Sequence, residues 1–346
     1  MDSIESRLKS VDSLIVDVIT DDVSDTYVTK TFFSVSEFAD IIKAGATMIS
    51  GETLLCANLG FGLRFTIQDN DRSHHVLFDT GPEGEIFVRN CKNLGFSLRE
   101  ISDVLITHGH WDHTGALLDA IDFIVKNGGS PTVHVNPGMF NERAIELPSG
   151  QIVQVQDVPM PSDITSHGAR VVNDGAARLV ADGCIYYSGE IPRVTSFEKG
   201  RKDHLCRKNS NDPWEPDPLL MDERMVVIDV RDLGLVVFSA CSHAGIVNVC
   251  IDVKRLFPDR KIYCVMGGLH LGGIMESIIP ATVDGVREFD IKQFILGHCT
   301  GWRALHAFAN AYGERVSQSA VGTSYTFTAD NKKNREIENT ASNYIN

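Results

Sequence analysis

Apolar and polar positions divide the chain into short alternating elements. Leu14-Ile15-Val16-Asp17-Val18-Ile19 is a β-branched run and predicts a strand. Residues 52–68 and 75–79 read as two strands joined by a polar turn at Asn70-Asp71. Helical spacing runs from Phe87 to Leu94 and from Leu117 to Val125, where Asn127-Gly128-Gly129 supplies a stop. Between them Ile101 to Thr107 is a strand that leads into a histidine-rich turn, and Thr132-Val133-His134-Val135 is another strand. Short strands and turns follow over 151–195. Residues 200–218, with Asn209-Ser210-Asn211-Asp212-Pro213, Pro216 and Pro218, read as a loop or lid insertion. Buried strands are then expected at 225–228, 233–238, 262–266 and 293–296, with helices at 245–256 and 280–288.

This order fits two packed sheets with outer helices, and it fits a single doubly wound sheet equally well. Residues 1–328 are taken as one domain, since single α/β domains often exceed the usual size of about 100–200 residues. The polar segment 329–346 reads as a flexible tail.

Composition narrows the function. A hydrophobic fraction of 43% supplies a core without disulfides. The net charge of −14, from 32 basic and 46 acidic residues, disfavours nucleic acid and anionic membranes as partners. A local basic pocket built from Arg64, Arg193, Arg201, Lys202 or Arg303 stays compatible with an anionic substrate. No basic segment followed by an apolar one opens the chain, and no apolar run reaches the roughly 18–20 residues that span a bilayer. The eight cysteines form no CxxC pair and read as reduced, mostly buried thiols, so a cytoplasmic location is expected.

The chemistry concentrates in His108-Gly109-His110-Trp111-Asp112-His113. Four metal-ligand side chains lie within six residues, after a buried strand and before a helix beginning near Thr114-Gly115. Imidazole and carboxylate suit zinc, iron or manganese. Four such ligands serve two ions more naturally than one, His108 and His110 holding the first, Asp112 and His113 the second.

The segment resembles the HxHxDH signature of the metallo-β-lactamase superfamily. Leu77-Phe78-Asp79-Thr80-Gly81 is similar to that superfamily's strand ending in an aspartate behind the metal site. Ser188 to Thr195, Phe238 to Asn248, Gly267 to Leu271 and Gly297 to Gly301 resemble the branch of dihydropterin ribofuranosylaminobenzene 5'-phosphate synthase-like, metal-dependent hydrolases, with similarity over roughly residues 12–325. The resemblance implies an αββα sandwich of two mixed β-sheets flanked by helices. It implies Asp79 as a partner behind a ligand imidazole, and Glu190 and Arg193 as substrate-binding residues; Trp111, inside the motif, is a candidate apolar wall for an aromatic substrate.

His243 and His298 each follow a buried strand, and are assigned to the ions held by His108/His110 and by Asp112/His113. Many superfamily members carry an aspartate that bridges both ions. The corresponding run here is Ala240-Cys241-Ser242-His243, where Cys241 reads either as a soft ligand or, preferably, as a small buried hydrophobe. A histidine common in relatives before the proline of Val135-Asn136-Pro137 is replaced by Asn136. His270 is a candidate for oxyanion binding or proton transfer, and Asp112 for orienting the nucleophile. His134, His167, His204 and His306 read as structural, and His74-His75 as a solvated turn. Trp302 is a candidate wall for an aromatic substrate.

The expected activity is opening of a small cyclic amide, carbamate or ester by a metal-bound hydroxide, with two divalent ions, zinc before iron or manganese. The partner is a small-molecule substrate, and a homodimer stays open. Phosphoester hydrolysis is the first alternative and requires Arg193 and Arg303 to converge on the pocket. A pterin-precursor synthase-like enzyme and a non-catalytic metal-binding sensor are the others.

Overall fold

The computed structural model describes residues 4–27 and 33–329. The tail lies outside the described residues, Ala329 excepted. Among the described residues two eight-stranded sheets pack face to face. One sheet runs in the order 170–173, 132–135, 101–105, 72–78, 62–69, 13–20, 324–327, 34–35. The other runs 178–180, 185–187, 226–230, 234–239, 262–267, 293–296, 316–318, with 10–11 paired beside 226–230.

Period-two patterning makes this sandwich. Leu14, Val16, Val18, Leu63, Phe65, Ile67, Val76 and Phe78 face inward from the first sheet and meet Val226, Ile228, Val236, Phe238, Met266 and Ile295 from the second. The opposite faces are also apolar. Leu235, Val237, Val265 and Phe294 pack against the helices Ile246–Leu256, Ile279–Gly285 and Trp302–Tyr312. Leu77, Val104 and Val133 pack against Gly84–Asn93 and Leu117–Lys126. A doubly wound single sheet is thereby excluded, and the αββα order holds. No helix among the described residues is long and apolar enough to cross a membrane.

The strand expected over 52–68 starts only at Gly62; turns and irregular backbone precede it, and Gly60 packs so closely on Asp112 that a Cβ there would lie 2.4 Å from the Asp112 carbonyl oxygen. His74 and His75, expected in a solvated turn, lie half-buried in the strand Arg72–Phe78. The stretch 200–218 is not simply a loop. Its residues His204–Arg207 pair antiparallel with Glu142–Glu146, and with Glu215–Pro216 and Ile152–Gln154 they form a small third sheet.

Strands 72–78, 101–105 and 132–135 are parallel neighbours, as are 234–239, 262–267 and 293–296. Their carboxyl ends therefore open on one edge of the sandwich, which is where α/β proteins place their ligands. Phe238 holds the two sheets in register there, 4.5 Å from Phe65 and 5.9 Å from Phe78 between ring centroids. Replacing Phe238→Ala should lower unfolding free energy by about 3–5 kcal/mol, read from the denaturation midpoint.

Candidate metal centre

Five strand ends deliver the site. Strand 72–78 ends at Asp79, strand 101–105 leads to His108, and strands 234–239, 262–267 and 293–296 lead to His243, His270 and His298. Asp79, Ser242, His270 and His298 all have φ near +50° without being glycine. Each such conformation costs about 1–3 kcal/mol and is characteristic of functional turns. Glycine is required at position 109, since a Cβ there would lie 2.3 Å from the Met139 carbonyl oxygen. That is why the first two histidines of the motif are separated by glycine and bend together.

Asp79 is fully buried and accepts three hydrogen bonds: from Thr107 N–H at 2.8 Å, from Thr107 Oγ1 at 2.7 Å and from His113 Nδ1 at 2.7 Å. These bonds decide the imidazole tautomers. With its proton on Nδ1, His113 presents a bare Nε2. Thr107 spends its hydroxyl proton on Asp79, so it accepts from His108 Nδ1 at 3.0 Å, and His108 presents a bare Nε2 as well.

The free nitrogens converge. His108 Nε2 lies 3.1 Å from His110 Nδ1, and ligand atoms of His108, His110 and His243 all lie within 4.8 Å of one another. Asp112 Oδ2 lies 3.5 Å from His298 Nε2 and 3.9 Å from His113 Nε2. Both triads assigned on sequence are thus brought together. His113 Nε2 and His243 Nε2 are buried without a hydrogen-bond partner, as is His298 Nδ1. Buried unpaired nitrogens in such number are costly unless a cation completes them, so the residues fit a metal centre.

Electrostatics agree. Burial, then the neighbouring imidazoles, hold His108, His243 and His298 well below the ordinary histidine pKa; at His110 burial and Arg143 do the same. Their lone pairs are free at neutral pH. Burial opposes protonation of His113 too, but Asp112 and Asp79 together raise its pKa. Burial raises that of Asp112.

Cys241 is buried, yet it is more than a space-filling hydrophobe. Its Sγ lies 3.5 Å from His298 Nε2 and 3.1 Å from Cys299 Sγ, and it falls within ligand reach of His108 with His113 and of His243 with His270. It occupies the ground between the two triads.

Two positioning residues carried no motif. Asp222 Oδ2 accepts from Gly109 N–H at 2.7 Å, holding the first histidine turn. Its neighbour Glu223 accepts from His243 N–H at 2.8 Å and Ala244 N–H at 2.6 Å, holding the second. The only sequence signal is a pair of acids directly before the apolar run at 225–228. Asn136, where relatives have histidine, donates to the Asp222 carbonyl at 2.8 Å and accepts from Gly138 N–H, so its role is to cap a turn.

A cavity of about 190 Å³ adjoins the centre. Trp111, Asp112 and His270 line it, together with His110, Arg143, Arg201 and His204. His204, read as structural, lies in the third sheet with its ring 5.3 Å from that of His110. Burial and then Arg201 lower its pKa to about 4, and burial and Arg201 lower that of His270 to about 3.

Glu190 and Arg193 are not brought to the cavity. Glu190 is exposed, and Arg193 donates to the backbone carbonyls of Ile191, Leu219 and Leu220. Its long side chain is half-buried, so donating to carbonyls satisfies it where solvent does not reach. Arg303 pairs with Glu276 at the surface, Arg64 pairs with Asp17, and Trp302 is 65% exposed against His306. His134 and His167 pair with Asp103 and Asp122 away from the cleft.

Residues 66–196, which include the histidine motif, match the family model of the metallo-beta-lactamase superfamily. The chain is 26% identical over 269 residues to the 7,8-dihydropterin-6-methyl-4-(beta-D-ribofuranosyl)-aminobenzene-5'-phosphate synthase of Methanocaldococcus jannaschii, spanning 76% of this chain and 88% of that protein. Its structure is similar to that of Tm1679, a metal-dependent hydrolase of the beta-lactamase superfamily, with a TM-score of 0.66 and 21% identity over 91% of this chain and 99% of the other. YhfI from Bacillus subtilis, a metallo-beta-lactamase fold protein, gives a TM-score of 0.45 at 10% identity, over 91% of this chain and 100% of the other. The fold is the metallo-beta-lactamase fold. Residues 66–196 resemble that superfamily, and over 76% of its length the chain is similar to the dihydropterin synthase.

Replacing Asp79→Asn should weaken zinc binding about 10–100-fold in a competition titration, because the amide supplies no anionic acceptor for both His113 and Thr107. Far-ultraviolet dichroism checks that the variant folds.

Proposed function

We propose that this protein is a metal-dependent hydrolase of a small substrate. The observation that carries this reading is the convergence of two ligand triads, with unpartnered imidazole nitrogens, beside a cavity lined by Asp112 and His270. His108, His110 and His243 would hold one divalent ion, and Asp112, His113 and His298 the other. Cys241 adds a soft donor between them, which favours zinc over iron or manganese. Divalent ions bound there supply Lewis acidity and an activated water at neutral pH.

The side chains do the rest. Asp112, only 16% exposed, orients the attacking water and takes its proton toward the leaving group, a task suited to a carboxyl whose pKa burial has raised. His270 stays neutral and donates a hydrogen bond to the developing oxyanion without adding charge. His204 offers a second neutral imidazole from the opposite wall. Leu59, Trp111, Ile145 and Leu220 make the remaining wall apolar and position an uncharged body.

Charge balance favours acyl over phosphoryl chemistry. Arg143 is spent on Asp217 and Asp222, and Arg201 on Asp203, so no unpaired guanidinium faces the cavity. A cyclic ester, amide or carbamate is accordingly the preferred substrate class. The second reading, a phosphorylated pterin-type precursor, is supported by the similarity to the M. jannaschii synthase.

Elemental analysis joined to a panel of lactones, lactams, carbamates and phosphodiesters tests the proposal. Chelation should abolish opening of one ring class and zinc should restore it, while His110→Ala should lower kcat/KM by at least about 100-fold. Turnover that survives both chelation and His110→Ala would rule out the mechanism.

A further inference from the structure

The end of the sandwich away from the cleft holds a second group of ligand-type side chains that the hydrolytic site does not use. Strand Gly62–Asp69 turns Leu63, Phe65 and Ile67 between the sheets, and the same alternation places Asp69 on that inner face, 8% exposed. On the neighbouring strand His74 pairs opposite Ile67 and shares its face with Val76 and Phe78. Cys184, fully buried, enters from the other sheet just before the strand Ile185–Tyr187. A carboxylate, an imidazole and a thiol therefore meet where apolar residues would close the sandwich.

Their ligand atoms all lie within 4.8 Å of one another. His74 Nε2 is buried and has no hydrogen-bond partner. Cys184 Sγ makes only a long 3.8 Å contact to Asp69 Oδ2, and Lys9 Nζ stands 3.7 Å from the same oxygen with its side chain 45% exposed. Asn70 Nδ2 donates to Asp69 Oδ1 at 2.8 Å. A depression lined by Lys9 and residues 69–72 reaches Asp69 from the surface and offers an entry path from solvent.

We propose that Asp69, His74 and Cys184 form a second, structural metal site for a thiophilic divalent cation of the zinc class. On binding, the Cys184 S–H bond breaks and an S–metal bond forms. The proton leaves to bulk water, the Lys9 ammonium leaves the Asp69 carboxylate and turns into solvent, and a water completes the fourth position. No redox step is involved. The ion ties the hairpin of one sheet to the other sheet, and it links Asp69 and Cys184 across 115 positions of the chain.

The full chain, stripped by chelator and reloaded with zinc, tests this by zinc count per chain and by melting temperature with and without zinc. Cys184→Ser and His74→Gln should each lose one zinc equivalent relative to the unaltered protein. The loss should also appear in a His110→Ala background, where the cleft is disabled. Lys9→Ala, which removes the competing ammonium at an exposed position, should bind that equivalent more tightly and keeps the test open should Cys184→Ser fail to fold. Equal zinc counts in the unaltered protein, His74→Gln and Cys184→Ser, with no change in affinity for Lys9→Ala, would overturn the assignment.

Discussion

Everything at the metal centre depends on one buried carboxylate. Asp79 has no solvent contact, and an isolated charge in that position is prohibitive unless it is paired and hydrogen-bonded. It is stabilised by three donors, and two of them are the links through which it dictates which nitrogen of His113 and His108 carries a proton. The consequence reaches outward. Both imidazoles present bare Nε2 atoms to the cleft because their other nitrogen is committed behind it. Asp112 adds a second carboxylate to a nearly dry space in which burial keeps most of the histidines neutral. The arrangement is electrostatically complementary to a cation, and that complementarity exists before any ligand arrives.

The fold supports this by concentrating strain where it is useful. Asp79, Ser242, His270 and His298 take left-handed conformations at the carboxyl ends of strands. A strand that continued in extended geometry would carry its next side chain along the sheet. The abrupt turn instead swings it across the opening. The unfavourable conformations persist because the surrounding bonds over-determine them, such as Ser242 Oγ donating to the Gly268 carbonyl at 2.7 Å and His298 N–H to Asp21 at 2.9 Å.

What was legible in the sequence was local. The motif His108 to His113 spans one strand–turn–helix junction, so its spacing encodes its geometry directly. The inward faces of strands 62–69 and 234–239 were legible for the same reason, since period two is a property of a few adjacent residues. The helix Trp302–Tyr312 was not among the expected helices although its apolar face is periodic, with Ala304 and Phe308 buried and Leu305, Ala311 and Tyr312 packed beside them. His204, read as structural, comes to the cavity through a pairing between residues 142–146 and 204–207, about sixty positions apart, in a stretch whose composition resembles a loop. Arg193 was misread in the opposite sense. Its neighbours resemble a family motif, but the motif serves packing. Asn248 accepts from Val194 N–H and Thr195 N–H, and Glu198 accepts from Val247 N–H and Asn248 N–H, so the two similar segments hold each other.

The same distance argument explains how substrate wall and metal loop are joined. Asp222 divides its two oxygens: one accepts from Gly109 N–H inside the histidine motif, the other from Arg143 Nη2 at 2.7 Å. Arg143 belongs to the third sheet, which roofs the cavity, and it also reaches Asp217 in the returning segment. A displacement of the roof is therefore resisted by a carboxylate that simultaneously fixes the spacing of His108 and His110. Adjacent Glu223 fixes His243 in the same way from the other side. Two consecutive acids thus make the roof, the first triad and its third ligand one mechanical unit. Variation in the third sheet, which sets the shape of the cavity, reaches the candidate metal ligands through Arg143 and through His204, whose ring lies 5.3 Å from that of His110. Because Asp222 and Glu223 fix the ligand turns through backbone N–H groups, the same ligand geometry can serve cavities of different shape, which is how a shared fold can support distinct substrates.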